Sequence, residues 1–201
     1  MQRLDCLRAI YSELQRCAVV TIMGATAAEL QSLGHRSNFF YLQHAMGLAS
    51  SLGLGLALCR PEVKVIVLDG DGSLLMNLGT LSTLARYRPA NLLHIVFDNE
   101  ALLSSGGDRT ATAVGADLEG VARACGIPGT ATLRTVAAFR AAVTDALRAG
   151  VLTTLVAKVE RSGPAQYVTG LGLLENRFEF ARWLQSVRPP QANPGFQPTS
   201  P

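Results

Sequence analysis

Charged residues are scarce in this sequence of 201 residues: they make up 16% of the chain, whereas an ordinary soluble domain carries about 25%. The formal net charge is only +3, and no run of basic residues is longer than two. A dedicated nucleic-acid-binding protein needs a basic patch or stripe, so this composition excludes that class. Hydrophobic residues reach 48%, more than one small core normally absorbs, and this surplus predicts a large subunit interface.

Cysteine pairs at metal-binding or redox spacing are also missing. Cys6, Cys17, Cys59 and Cys125 form no CxxC pair and no cluster with histidine, so we expect free thiols in a reducing compartment. The most apolar window, residues 45–59, is shorter than a membrane span and contains three glycines. The amino-terminal residues lack the apolar stretch of a signal peptide, and we therefore expect a cytoplasmic protein without membrane contact.

Helical and strand-like patterns alternate along the chain, which predicts an α/β fold. Continuously apolar strands between helices favour a doubly wound, mostly parallel sheet with helices on both faces. We expect one domain over 1–187 and a proline-rich, disordered tail over 188–201. Helices are predicted over 4–14, 26–33, 45–59, 73–87, 117–125, 136–148 and 175–187, and strands over 18–24, 64–68, 92–97, 130–133 and 152–159.

A glycine-rich turn, Gly70–Asp71–Gly72–Ser73, follows the predicted strand 64–68. An Asp-Gly pair between apolar segments is typical of a hairpin, but the segment after this turn has helical periodicity. A strand, a glycine turn and a helix N-terminus present backbone N–H groups to a phosphate. Many nucleotide-binding folds share this arrangement, so the turn alone does not identify the ligand.

The acidic side chain inside the turn narrows the interpretation. Asp71 would repel a bare diphosphate, so its position favours a divalent cation between carboxylate and phosphate. Asp98 and Asn99 end the next apolar strand, and Asn99 follows Asp71 by 28 residues. Parallel strands bring their carboxyl ends to one edge of a sheet, where these side chains would meet. The sequence therefore predicts a Mg²⁺ and diphosphate site.

This pairing resembles the cofactor-binding signature of the thiamine-diphosphate-dependent 2-oxo acid decarboxylase superfamily. The resemblance implies that Asp71, Asn99 and the carbonyl of Ala101 bind Mg²⁺, and that Gly70, Gly72 and Ser73 hold the diphosphate of thiamine diphosphate. Asp98 stands where the family has the first asparagine of a pair, a position that is not a metal ligand there.

Within the superfamily, the likeness is to the small, split enzymes: the β subunit of sulfopyruvate decarboxylase and the cofactor half of phosphonopyruvate decarboxylase. It extends over about residues 2–187 and includes the segments FFYLQHAMGLASSLGLGLAL, SSGGDRT and LLENRFEFARWL. The resemblance implies that the carbonyl of His44 accepts from the cofactor's 4′-amino group and that Met46 holds the cofactor bent, with core packing as the alternative for Met46. Gly47 and Leu102 complete the predicted cofactor contacts.

Three departures from the family pattern mark the same region. His44 and Glu100 stand where the family has glycine, and Leu102 and Leu103 replace a Tyr-Glu pair. No catalytic residue follows from the sequence; the candidates are His44, Ser104 and Ser105, with a structural role as the alternative for His44. The two leucines predict a 2-oxo acid substrate with a longer or less charged side chain. The alternative is that they face the core and that a partner binds the substrate's second anion.

The family's activating glutamate comes from a second, pyrimidine-binding domain, for which this chain has no room. The resemblance therefore implies a hetero-oligomer with a subunit that carries this domain, acting on a small 2-oxo acid and releasing CO₂ and an aldehyde. A carboligase subunit, a non-catalytic cofactor-binding subunit and a nucleotide-binding flavodoxin-like module remain as alternatives. The scattered cysteines argue against the β subunit of a 2-oxo acid:ferredoxin oxidoreductase.

Overall fold

A six-stranded, fully parallel sheet forms the centre of the protein, in the strand order β2-β1-β3-β4-β6-β5. The computed structural model describes residues 1–164, 167 and 170–187. The predicted tail over 188–201 lies outside the described residues. The strands are β1 (Cys17–Thr21), β2 (Phe39–Tyr41), β3 (Lys64–Gly70), β4 (Leu92–Asp98), β5 (Gly129–Leu133) and β6 (Thr153–Lys158).

Helices cover both faces of this sheet and enclose two apolar cores. Helices α3, α5, α6 and α8 pack on one face, and α1, α2 and α7 pack on the other. The predicted doubly wound α/β fold is confirmed. The helices are α1 (Arg3–Ile10), α2 (Ala25–Ser32), α3 (Ala49–Cys59), α4 (Asp71–Met76), α5 (Thr80–Tyr87), α6 (Leu118–Ala124), α7 (Val136–Ala149) and α8 (Leu173–Ser186).

The chain adds strands in opposite directions on the two sides of the boundary between β1 and β3. From β1 the chain continues outward to β2, whereas from β3 it continues the opposite way to β4. In open parallel sheets, ligands bind beyond the carboxyl ends of the strands at such a switch point. The loops after β1, β3 and β4 therefore surround the expected binding position.

The predicted helix 73–87 is wrong in one respect, because the structure breaks it into α4 and α5. Asn77 leaves the helical conformation, and its Nδ2 donates to the carbonyl of Gly47 at 3.0 Å. The predicted helix over 45–59 begins only at Ala49. His44 and Gly47 have φ angles of +54° and +84°, which a right-handed helix does not allow. Both differences from the predicted helices occur where the loop before α3 contacts the end of α4.

Other differences are smaller. The predicted strand 18–24 ends at Thr21, because the chain then turns through Gly24 into α2. The edge strand β2 was not predicted, since three residues are too few for a periodic pattern. All four cysteines are free thiols, as predicted. No helix among the described residues has both the length and the apolar character needed to cross a bilayer.

Candidate functional site

A cleft lies at the switch point, beyond the carboxyl ends of β1, β3 and β4. The loops after these three strands provide most of its lining, and the loop before α3 closes it from one side. Nine of the predicted site residues line this cleft, while His44, Gly47 and Ser105 do not. The nine are Met46, Gly70, Asp71, Gly72, Ser73, Asn99, Ala101, Leu102 and Ser104.

Asp71 is the first residue of α4 and is almost fully buried, at 2% exposure. Its Oδ2 accepts hydrogen bonds from the hydroxyls of Thr110, at 2.6 Å, and Thr112, at 3.2 Å. Within the described part of the chain, no lysine or arginine pairs with this carboxylate. A buried carboxylate without a cationic side chain is costly, and a bound metal ion would remove that cost.

The surroundings of Asp71 act on its pKa in both directions. Burial raises the pKa, and the nearby charge of Asp98 raises it further, while the hydrogen bond from Thr110 offsets part of the rise. Thr112 connects the two acids, because its hydroxyl also lies 2.8 Å from Oδ1 of Asp98. Sequence reasoning missed both threonines, although two hydroxyl residues in the long loop after β4 are a recognisable signal.

Asn99 and Ala101 lie opposite Asp71 on the loop after β4. The amide oxygen of Asn99 accepts from the backbone N–H of Ala101 at 3.2 Å, which fixes the start of this loop. Ala101 also forms an isolated antiparallel bridge with Arg109, so the segment between them folds back on itself. A carboxylate, an amide oxygen and a main-chain carbonyl form a hard-oxygen set that suits Mg²⁺.

The two glycines of the turn have different surroundings. A Cβ atom on Gly70 would meet nothing within 4 Å, so this end of the turn is open to the cleft. A Cβ atom on Gly72 would overlap the side chain of Leu102, which packs directly over the turn. Gly72 is therefore needed for the close approach of the two loops, and Leu102 forms an apolar wall against the glycine turn.

The loop before α3 is held to α4 by two hydrogen bonds. The N–H of Gly47 donates to Oγ of Ser73 at 3.0 Å, and its carbonyl accepts from Asn77. The hydroxyl of Ser73 therefore orients this loop, a role that was not predicted. With the loop held in this way, Met46 is one of the residues that line the cleft.

His44 and Glu100 replace glycines of the family pattern, and both keep a glycine-like backbone. Their φ angles are +54° and +60°, in the left-handed region that side chains with a Cβ atom rarely adopt. The loops therefore follow the course that glycine would allow, at the cost of local strain.

We expect His44→Gly to raise the free energy of unfolding by about 1 kcal/mol, because it releases the left-handed strain. The exposed imidazole loses little in the exchange. Chemical denaturation measures the effect. His44→Ala is the matched control, since alanine removes the ring but keeps the strain, and it should leave stability almost unchanged. Equal effects of the two substitutions would contradict this account.

Asp98 is a second buried carboxylate, and a neighbouring strand supplies its counter-charge. Asp98 and Lys158 are paired in the register of β4 and β6, and Nζ of Lys158 donates to Oδ2 of Asp98 at 2.8 Å. The same ammonium contacts Glu100 at 2.9 Å. Burial lowers the pKa of Lys158, but its bonds to the two acids outweigh this and raise the pKa above its ordinary value. Lys158 thus explains how aspartate can stand where the family has asparagine.

Lys158→Met should destabilise the protein by about 2 kcal/mol, because it leaves the charge of Asp98 buried without a partner. The double variant Asp98→Asn/Lys158→Met should recover most of this loss, since the neutral amide no longer needs a cation. Thermal or chemical denaturation of both variants tests the pair. A double variant as unstable as Lys158→Met alone would show that Lys158 acts through packing rather than charge.

Two polar residues among those that line the cleft were not predicted from the sequence. Thr26, in the first turn of α2, and Arg3, the first residue of α1, both line the cleft from the β1 side. Neither belongs to a local motif. Only the tertiary packing of α1 against α2 brings Arg3 to this position.

The fold has counterparts among solved thiamine-dependent enzymes. Benzoylformate decarboxylase from Polynucleobacter necessarius superimposes with a TM-score of 0.68, covering 83% of this chain and 34% of that chain at 16% identity. A 4-hydroxybenzoylformate decarboxylase from Rhodococcus jostii RHA1 gives a TM-score of 0.66 over 80% of this chain at 19% identity. At these identities the likeness establishes the fold.

Sequence relatives carry the comparison further. The β subunit of sulfopyruvate decarboxylase from Methanocaldococcus jannaschii is 39% identical over 158 residues, which cover 78% of this chain and 83% of the relative. Phosphonopyruvate decarboxylase from Streptomyces viridochromogenes is 46% identical over 125 residues, but this chain spans only 31% of its length. The predicted likeness to the β subunit of sulfopyruvate decarboxylase and to phosphonopyruvate decarboxylase is confirmed.

The family model for the thiamine pyrophosphate enzyme, C-terminal TPP binding domain, matches residues 20–157. The matched region begins within β1 and includes the glycine turn, Asn99 and the loop after β4, so it contains every lining residue of the cleft except Arg3. The chain belongs to the family of thiamine pyrophosphate enzymes, as their cofactor-binding domain.

Proposed function

We propose that this chain is the cofactor-binding subunit of a two-subunit, Mg²⁺-dependent 2-oxo acid decarboxylase that uses thiamine diphosphate. The observation that carries the proposal is the buried carboxylate of Asp71, which lies in the switch-point cleft without a cationic side-chain partner in the described part of the chain. The named relatives, a β subunit among them, support the same reaction class.

The residues of the cleft fit this cofactor. Oxygen atoms of Asp71, Asn99 and Ala101 would hold Mg²⁺, and the open glycine turn with the N–H groups at the start of α4 would hold the diphosphate. Met46 would support the bent cofactor, and the loop that carries the His44 carbonyl is fixed through Gly47. When bound, thiamine diphosphate supplies the electron sink for decarboxylation, while this chain orients it and excludes water.

The second subunit would complete the site. Among the described residues that line the cleft there is no glutamate, which agrees with an activating glutamate on a pyrimidine-binding partner. A hetero-oligomer with the active site at the interface would also cover the exposed apolar side chains near the cleft. The four free thiols support a cytoplasmic location for this assembly.

The lining of the cleft also bears on the side chain of the 2-oxo acid. Leu102 and Leu103 both line the cleft, and Leu102 packs over Gly72, so the loop after β4 offers an apolar wall. A wall of this kind suits a less charged side chain than that of the substrates for which the relatives are named. We therefore expect the reconstituted pair to prefer an apolar 2-oxo acid.

A substrate panel on this chain with its partner tests both statements, with CO₂ and aldehyde as the measured products. A much higher kcat/KM for sulfopyruvate or phosphonopyruvate than for any apolar 2-oxo acid would refute the apolar preference. Leu102→Tyr/Leu103→Glu restores the family pair and should shift the preference if the wall selects the substrate. Acyloin products in place of aldehyde would identify a carboligase, and cofactor binding without turnover would identify a non-catalytic subunit.

A further inference from the structure

Arg3 is a buried cation at the edge of the cleft, with only 5% of its surface exposed. Glu29 on α2 holds the guanidinium in a bidentate pair, from Nε to Oε2 at 2.9 Å and from Nη2 to Oε1 at 2.9 Å. Nη2 also donates to the carbonyl of Ser162 at 3.1 Å. Such fork-shaped pairing fixes the plane of the guanidinium before any ligand arrives.

Nη1 of Arg3 has no hydrogen-bond partner among the described residues, whereas Nε and Nη2 are both engaged. Arg3 is also one of the residues that line the cleft containing Asp71. A guanidinium held in place by Glu29 therefore lies at the edge of this cleft, and the described residues leave one of its nitrogens available for a ligand.

The start of α2 provides neutral donors beside this cation. Gly24 caps the helix without a side chain, and the first helical bond runs from Ala28 N–H to the Gly24 carbonyl. The N–H groups of the first turn have no partner among the described residues, and Ala25 and Thr26 line the cleft. Arg3 is adjacent to Ala25, because a Cβ atom on Gly163 would lie 3.2 Å from the Ala25 Cβ and 3.6 Å from Nη2.

The two sides of the cleft differ in charge. On the β3 side, the carboxylate of Asp71 opposes an anion until a metal ion is bound. On the β1 side, the N–H groups of the first turn of α2 and Nη1 of Arg3 would favour an anion directly, although Glu29 screens part of the charge. A ligand with two linked phosphates would match this asymmetry, because a metal ion held by Asp71 and the guanidinium of Arg3 would both attract its negative charge.

We propose that Arg3 is a binding residue for the terminal phosphate of thiamine diphosphate, and that it gives the site its selectivity for the diphosphate over thiamine monophosphate. This inference rests on the proposed function. A single charge-assisted hydrogen bond from a preorganised guanidinium would account for a difference of about 10- to 100-fold in affinity. Glu29 is then a positioning residue, which orients Arg3 and does not touch the ligand.

Calorimetric titration of the full chain with thiamine diphosphate and with thiamine monophosphate, each with Mg²⁺, tests the proposal. Arg3→Gln should weaken diphosphate binding by about 10- to 100-fold and monophosphate binding by less than about 3-fold. Arg3→Gln leaves the Glu29 carboxylate without its cationic partner. The double variant Arg3→Gln/Glu29→Gln avoids this effect, and it should show the same selective loss of diphosphate affinity. Thermal unfolding confirms that each variant is folded.

Glu29→Gln keeps the arginine and removes its screening charge. It should bind the diphosphate at least as tightly as the wild type, and the advantage should shrink as salt is added. A double variant that keeps the wild-type ratio of diphosphate to monophosphate affinity would show that Arg3 only joins α1 to α2, and would overturn the inference. If the wild-type chain binds neither thiamine compound, either alone or together with its partner subunit, the proposed function itself fails.

Discussion

Asp71→Ala should abolish Mg²⁺-dependent binding of thiamine diphosphate, with a loss of more than about 100-fold in affinity. The carboxylate is the only charged oxygen in the predicted ligand set, and without it the metal cannot connect the turn to the diphosphate. Calorimetry of the chain with cofactor and Mg²⁺ measures the loss. Unchanged cofactor affinity in this variant would remove the basis of the metal assignment.

The neighbouring acid supplies a matched control. Asp98 is also buried and shares the hydroxyl of Thr112 with Asp71, yet its charge is paired with Lys158 and it is not a predicted ligand. Asp98→Asn should therefore keep cofactor affinity within about 3-fold. Asp71→Asn preserves shape and should be as stable as the wild type, because it removes a buried, unpaired charge. Equal losses of binding in Asp71→Ala and Asp98→Asn would mean that the pair acts through local folding alone.

The sequence was sufficient for most of the fold, because the buried strands are continuous apolar runs. All five predicted strands exist, and β3 and β4 lead directly into the predicted glycine turn and the Asp-Asn pair. The three-residue strand β2 could not be predicted, since its pairing with β1 depends on distant residues. The break at Asn77 was missed for a similar reason: it depends on a contact with Gly47, thirty residues earlier.

The site was predictable as far as local motifs extend. The turn around Asp71 and the position of Asn99 follow from strand ends, and the structure brings them to one cleft. The partners of these residues depend on strand order and helix packing instead. Lys158 meets Asp98 only because β6 lies beside β4, and Arg3 reaches the cleft only because α1 packs on α2.

The purified chain alone should show no measurable turnover of 2-oxo acids and should self-associate. The cleft contains no glutamate among its described lining residues, and several large apolar side chains are exposed. Two of these are close to Gly47: Leu48 follows it in the loop before α3, and the Cβ of Met76, at the end of α4, would be 3.3 Å from a Cβ on Gly47. Light scattering and CO₂ release measure the two properties. Turnover by a preparation that mass spectrometry shows to contain only this polypeptide would contradict the prediction.

A pair of surface variants distinguishes a specific subunit interface from nonspecific self-association. Met76 and Tyr87 are almost equally exposed, at 55% and 54%. Met76 adjoins the loop before α3, which closes the cleft beyond the carboxyl ends of the strands, whereas Tyr87 ends α5 shortly before the amino end of β4. If the partner covers the cleft edge, Met76→Glu should reduce both self-association and the activity recovered with the partner, by about 10-fold or more. Tyr87→Glu adds the same charge and should leave the recovered activity unchanged. Equal effects of the two substitutions would place the partner elsewhere, because the cleft edge would then contribute no more to assembly than any other exposed apolar side chain.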